Sequence, residues 1–563
     1  MSTKGLAKNK TTIKKSSKPR KKRHIQEHPL SSEKEFSSRE IGWLNFNLRV
    51  LHEAQDADNP LLERVRFLSI CSSNLDEFFM KRVGGLKRQV AYGVSTKSSD
   101  GKTPVQQLQD IRKFVLPMLI EQSRCFLKLK PLLAKNNIFL LKWKDLTASE
   151  KTHVKKYYLK NVFPVLTPLS VDPGHPFPFI SNLSTSLGVT LKHPHAEEKL
   201  FARVKIPKVL PQWILLESDK PGSRYLRLLD LIRENLSDLF SDMQVLKVMP
   251  FRLTRNADSD RDEEDTEDLL EMIEEELRQR RFAEVVRLEH GPHPDPWMLK
   301  FLMDELELSE EDLYEHPGSL DFTELDMIAD LNIPDLRFQL HNPVVPPAFI
   351  EDQQLFNHIK AADQLTHHPY ESFSATVENF IRVASEDPKV LAIKMTLYRT
   401  GDNSPFIRSL IRAAEAGKQV VCLVELKARF DEERNIYLAQ ALENAGVHVV
   451  YGVVGLKTHA KMSLVVRQEE EGLHCYAHIG TGNYNVGTGK TYTDLGLFTA
   501  KEVITQDVVE FFHYLTGRSL KNNYQNLLIA PVTMFQRFKS MIQREAEHAK
   551  AGRPSQVIAK FNN

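Results

Sequence analysis

Apolar positions recur along the chain in three different rhythms. From about residue 35 to 133 they follow helical spacing, and SSREIGWLNFNLRVL and SNLDEFFMKRV carry capping-box spacings from Ser37 to Glu40 and from Asn74 to Glu77. These predict a helical N-terminal domain. From 134 to 341, short apolar runs such as IFLL, ARVKI and QVLKVM mix with helical stretches and with Pro-rich turns such as DPGHPFPF, the pattern of an α+β head domain. From 342 to 526, VLAIKMTLY, QVVCLVEL and HVVYGVV read as buried strands separated by the helices SPFIRSLIRAAEAG and ERNIYLAQALENAG. Gly417 and Gly446 close those helices, as in parallel βαβ units. The expected fold is therefore multidomain, α/β and α+β, with a mostly parallel sheet in the third domain. Residues 527–563 add a helix, MFQRFKSMIQREAEHAKAG, and a strand, SQVIAKF, the start of a further α/β unit.

Composition narrows the class. The 563 residues are 41% hydrophobic and 27% charged, the balance of an ordinary globular chain, and the net charge of +2 says little about partners. The distribution says more: between Lys4 and Arg23 the chain is strongly basic and has no carboxylate, so residues 1–34 read as a disordered tail able to dock on a polyanion. No apolar run reaches the roughly 18 to 20 residues of a membrane span. Cys71, Cys125, Cys422 and Cys475 lie far apart, without the paired spacing of a zinc site or disulfide framework. The expected location is cytoplasmic, including the periphery of a membrane. The acidic stretch DRDEEDTEDLLEMIEEELRQRR (260–281) reads as a solvated helix face rather than a metal site, because its carboxylates spread around the helix.

The candidate chemistry sits in GLKTHAKMSLVV (455–466). In extended conformation Lys457, His459, Lys461 and Ser463 share one face, within an apolar surrounding. An edge strand protected by lysines is one explanation. The other is a reactive imidazole, kept neutral and nucleophilic by neighbouring cations and suited to attack on a phosphoryl group. Arg399 and Arg429 follow equivalent ends of two neighbouring strands, where ligands of parallel sheets bind and where guanidinium forks grip phosphate. Downstream, HIGTGNYNVGTGKTYTD contains GTGKT, but Tyr484 stands where a P-loop needs glycine, and DLGLFTA reads as a strand where that motif needs a helix. This stretch instead brings Asn483 and Asn485 beside His459, with the ring of Tyr492 available to a nucleobase.

HAK at 459–461 followed by GTGN at 480–483 resembles the half-site of the phospholipase D superfamily, although Val466 replaces the aspartate its hydrolases require. WLNFNLRVL, ERVRFLSICSSNLDEFFMKRV, KMTLYR, VELKARFDEERNI, GLKTHAK, HIGTGNYN and YTDLGLFTA together resemble the bacterial-type polyphosphate kinases. The resemblance implies a phospholipase D-like third domain and reversible transfer of the terminal phosphate of ATP to inorganic polyphosphate, with Mg2+. It implies a phosphohistidine at His459 assisted by Lys461, ATP contacts from Asn47 and Tyr492, and a magnesium role for Arg399 and Arg429. Arginine has no lone pair for a metal, so those two are expected to act through the phosphates. Lys457, Asn483 and Asn485 are expected in support, ATP, ADP and polyphosphate as partners, and a homo-oligomer as the assembly; no nucleic acid is required. The family continues into a second such domain with another essential histidine, so residues 1–563 alone are expected to turn over weakly or not at all. A phospholipase D-type diesterase and a non-catalytic polyanion binder are the alternative functions.

Overall fold

The computed structural model describes residues 35–560 apart from 172–174, 196–197, 258–268, 281, 402–403, 427, 429–430, 454–455 and 518–523. The expected basic tail lies outside the described residues. Helices Arg39–Gln55, Leu61–Phe78, Gly84–Ala91 and Pro104–Lys135 form the N-terminal domain. Leu44, Leu51, Leu62, Leu68, Val115 and Leu129 are fully buried on their facing sides, as the helical rhythm requires. The capping residues differ from the expected ones. Ser38, not Ser37, caps the first helix by accepting from Ile41 N. Asn74 lies inside a helix that begins after Pro60, whose missing N–H is harmless at that position.

Two sheets make up the head. Strands Ile138–Leu141, Ser223–Arg227 and Trp213–Leu215 form a small sheet. The larger, six-stranded sheet pairs its strands antiparallel except at Val285–His290 with Leu313–Glu315. A buried charge network joins this sheet to the helical domain. Asp76 pairs with Arg252 and with Arg287 (2.5 Å), Glu289 with Arg252 (2.8 Å) and Arg287 (3.2 Å), and Asp321 with Arg252 (3.4 Å). The sequence gives no pattern for it, since its members come from four separate segments.

The third domain is built on seven strands: β1 (Gln364–His368), β2 (Val390–Leu397), β3 (Gln419–Val424), β4 (His448–Val450), β5 (Lys461–Glu469), β6 (Gly472–Gly480) and β7 (Asp494–Thr499). Their order is β1-β7-β6-β5-β2-β3-β4. The expected βαβ units are present, with helix Pro405–Glu415 between β2 and β3 and helix Glu432–Asn444 between β3 and β4. The expectation of a mostly parallel sheet is corrected: the sheet is mixed, because only those two junctions are parallel and the other four are antiparallel. After β4 the chain returns to the other side of β2, and Glu470 and Glu471 turn β5 directly into β6, too short a link for a crossover helix.

Residues 260–268 and 281 of the acidic stretch lie outside the described residues, and its described part is not solvated all round. In helix Leu269–Arg280, Met272 and Ile273 enter the core of the third domain, and Arg280 Nη1 donates to Glu432 Oε1 at 2.9 Å. The helix Met534–Lys550 forms as expected, with all its residues at least partly exposed. Residues 555–560 of SQVIAKF form no strand, and Phe561 lies outside the described residues. Among the described residues no helix is long and apolar enough to cross a membrane.

Candidate active site

Strand β5 lies between β2 and β6, which removes the edge-strand explanation of its lysines. The alternation expected over 457–463 starts only at Lys461. Lys461 and Ser463 are buried, whereas Lys457 and His459 are exposed on the segment before the strand. Three hydrogen bonds take this segment out of the ladder. Glu425, 4% exposed just beyond β3, accepts from Thr458 N through Oε2 at 2.7 Å. Thr396 of β2 donates through Oγ1 to Ala460 O at 2.8 Å and accepts from Met462 N at 3.1 Å. Buried Asn435 then ties two strand ends together, donating from Nδ2 to Tyr398 O (2.8 Å) and Glu425 O (2.9 Å).

These constraints gather the basic groups around one ring. The imidazole of His459 stands edge-on to Tyr398, with ring centroids 5.3 Å apart and planes at 84°. Lys461 Nζ, Lys457 Nζ and Arg399 Cζ lie 5.4, 5.6 and 5.8 Å from the Tyr398 centroid. The negative face of an aromatic ring draws cations that otherwise repel one another. Lys461 Nζ also donates to His459 O at 2.5 Å, and Arg399 pairs with Asp431 at 3.1 Å. Desolvation, then Lys461, Lys457 and Arg399, hold His459 below the ordinary histidine value, so its ring is neutral at pH 7. Burial pushes Lys461 down to about 8 against the pull of Asp494. A cavity of about 430 Å³ flanks the segment, lined by Lys457, Thr458 and His459 on one side and by apolar residues such as Phe511 and Leu515 on the other.

The other expected residues are placed differently. Arg429 lies outside the described residues. Asn485 caps the short helix Val486–Gly489, accepting from Gly487 N (2.9 Å) and Thr488 N (3.2 Å). Asn483 keeps a buried Oδ1 without a hydrogen bond within the chain. No described hydrogen bond joins either asparagine to His459. Tyr492 is 63% exposed beyond that helix. Asn47 is fully buried, donating to Cys71 O (3.0 Å) and accepting from Asn74 Nδ2 (3.1 Å). A ligand approaching the helical domain would therefore meet half-buried Asn74 before Asn47.

Sequence reasoning missed Tyr398, Glu425 and Asn435. KMTLYR and VELKARFDEERNI contain them, but only the fold shows that they converge. It also missed His478 of β6, which is paired in register with Ser463 and buried against Tyr484 OH at 2.9 Å. Burial, with His368 nearby, pushes His478 down to about 3. Gly496 lets β7 pass over this ring: a Cβ there would stand 2.8 Å from His478 Nε2.

Three family descriptions match the chain in succession: the polyphosphate kinase N-terminal domain over residues 36–141, the middle domain over 149–328 and C-terminal domain 1 over 354–521. The chain belongs to the polyphosphate kinase family. It is 46% identical over 564 aligned residues to a polyphosphate kinase of Thermosynechococcus vestitus, covering 95% of this chain and 77% of that one. It is 47% identical to the Synechocystis enzyme, covering 94% of this chain and 76% of the other. The crystal structure of a polyphosphate kinase from Porphyromonas gingivalis superposes with a TM-score of 0.78 at 28% identity, over 92% of this chain and 75% of that one. In this polyphosphate kinase family member, the residues around Tyr398 thus lie in the matched C-terminal domain 1.

Proposed function

We propose that the chain transfers the γ-phosphoryl group of ATP to inorganic polyphosphate, and back, through a phosphohistidine at His459. The observation that supports this most is the gathering of Lys457, Lys461 and Arg399 with the imidazole of His459 around the Tyr398 ring. An imidazole nitrogen of His459 attacks the γ-phosphorus, forming an N–P bond while the bond to the β-phosphate oxygen breaks and ADP leaves. A terminal oxygen of polyphosphate then attacks the same phosphorus, breaking the N–P bond and restoring the ring. The ammonium and guanidinium groups neutralise charge on the transferred oxygens in both steps.

Magnesium fits this reading as part of the nucleotide substrate. Among the described residues no group of three His, Cys, Asp or Glu side chains is arranged to hold a metal ion, and arginine has no lone pair. Arg399, with Arg429, therefore acts on phosphate oxygens. Exposed Tyr492 is the ring offered to the base. Incubation with γ-labelled ATP tests the proposal: label that is acid-labile and base-stable, and is lost in His459→Ala, supports it. Label retained in that variant sinks it.

A further inference from the structure

A second cavity, of about 370 Å³, opens far along the chain from His459, between the long helix Pro104–Lys135, the small head sheet and the loop before Glu324. Three buried polar groups among its lining residues make no hydrogen bond within the chain: Ser123 Oγ, Trp213 Nε1 and Arg227 Nη2. Such groups are rare in folded chains and mark places where a ligand or water supplies the partner.

The charges lining this cavity do not cancel. Glu324 is held by Arg227 Nε at 2.6 Å, Asp321 by Arg252 at 3.4 Å, and Asp230 by Arg233. Lys130 and Lys142 line the same space, and no ion pair among the described residues engages Lys130. Burial, reinforced by Lys142, holds Lys130 below the ordinary lysine value. Phe126 and Phe322, tilted at 57° with centroids 5.6 Å apart, supply an aromatic wall. A net positive lining with two ammonium groups outside any ion pair among the described residues, orphaned donors and an aromatic wall match one kind of molecule: a small anion carrying a planar apolar body.

We propose that this cavity is a binding site for a small aromatic or otherwise apolar organic anion, separate from the phosphate-transfer site. Lys130 and Lys142 face its charged group, and Trp213 and Arg227 donate to its polar atoms.

The probe is 8-anilinonaphthalene-1-sulfonate, titrated against the full chain while energy transfer from tryptophan is followed. Saturable binding that weakens about tenfold in Lys130→Gln, the loss of one charge-assisted contact, is the expected result. Trp213→Phe should weaken binding and reduce transfer, and bound probe should protect Lys130 from acylation, read by mass spectrometry on the unaltered chain. Probe binding that neither variant changes, with Lys130 acylated at the same rate, would place the dye on exposed apolar surface elsewhere and overturn the proposal. Unchanged His459 phosphorylation in Lys130→Gln would show that this site and the reaction are independent.

Discussion

The chain gathers basic side chains in two places and treats them oppositely. Between the helical domain and the head, Arg252 and Arg287 are almost fully buried and share Asp76 and Glu289, Arg252 also pairs with Asp321, and His316 Nε2 is 2.9 Å from Glu289 Oε1. Burial alone would favour neutral Glu289, but Arg287 and Arg252 hold it well below the usual carboxylate range. Around Tyr398, Lys457 and Lys461 share an aromatic face and make no ion pair among the described residues, and His459 and Lys461 are both depressed. Cations supplied with carboxylates hold domains together. Cations left without them attract an external anion, and a histidine among them keeps its lone pair.

The comparison breaks most forcefully at Asp76. Asp76→Ala leaves two arginines short of charge in a dry interface and should destabilise the chain by about 3–5 kcal/mol, measured by urea unfolding. The same kind of truncation in the other cluster should leave stability nearly unchanged and fall on chemistry instead. Lys461→Met should slow phosphorylation of His459 by roughly 10²- to 10³-fold, as for removal of one donor to a transferred group.

That variant also tests the pH dependence. In the proposed mechanism His459 must be unprotonated to attack, so the rate should fall as pH drops through its folded value, which lies below 6.5. In the same mechanism Lys461 must be protonated to hold phosphate, so the rate should fall again as pH rises through about 8. In Lys461→Met the alkaline limb should vanish and the acid limb should move upward, because one source of His459's depression is gone. An alkaline limb that persists near its original position would assign it to another group.

Lys457→Glu makes the reactive cluster resemble the structural one. It should raise the KM for ATP about tenfold and move the acid limb upward, since the new carboxylate both repels phosphate and favours the protonated imidazole. The smallest effect separates charge from position at Glu425. Glu425→Gln keeps an oxygen to accept from Thr458 N and should cost only a few-fold in kcat, whereas Glu425→Ala frees the segment and should cost about tenfold or more. Equal losses in both variants would mean that the charge matters, not the placement of the loop.

The βαβ half of the third domain was legible because β2, β3 and β4 are continuous apolar runs separated by amphipathic helices ending at Gly417 and Gly446, whose φ values are +80° and +83°. The antiparallel half was not legible in the same way. β5, β6 and β7 mix apolar with polar residues, and direction is set by which neighbour the chain returns to, not by local composition. Asn74 to Glu77 misled for a related reason: a capping-box spacing inside a continuous helix is only two half-buried polar positions one turn apart.

By itself the sequence determined three domains of different rhythm, the nucleophile candidate His459 with its basic neighbours, and Arg399 at a strand end. Those follow from side-chain type and spacing, which are local properties. Tertiary structure alone decided that the cations meet over Tyr398, that Glu425 holds their segment out of the ladder, and that Asn47 serves the interior while Asn74 reaches outward. Those depend on distances between residues remote in the chain, and the energies that fix them, desolvation and charge proximity, exist only after folding removes the intervening water.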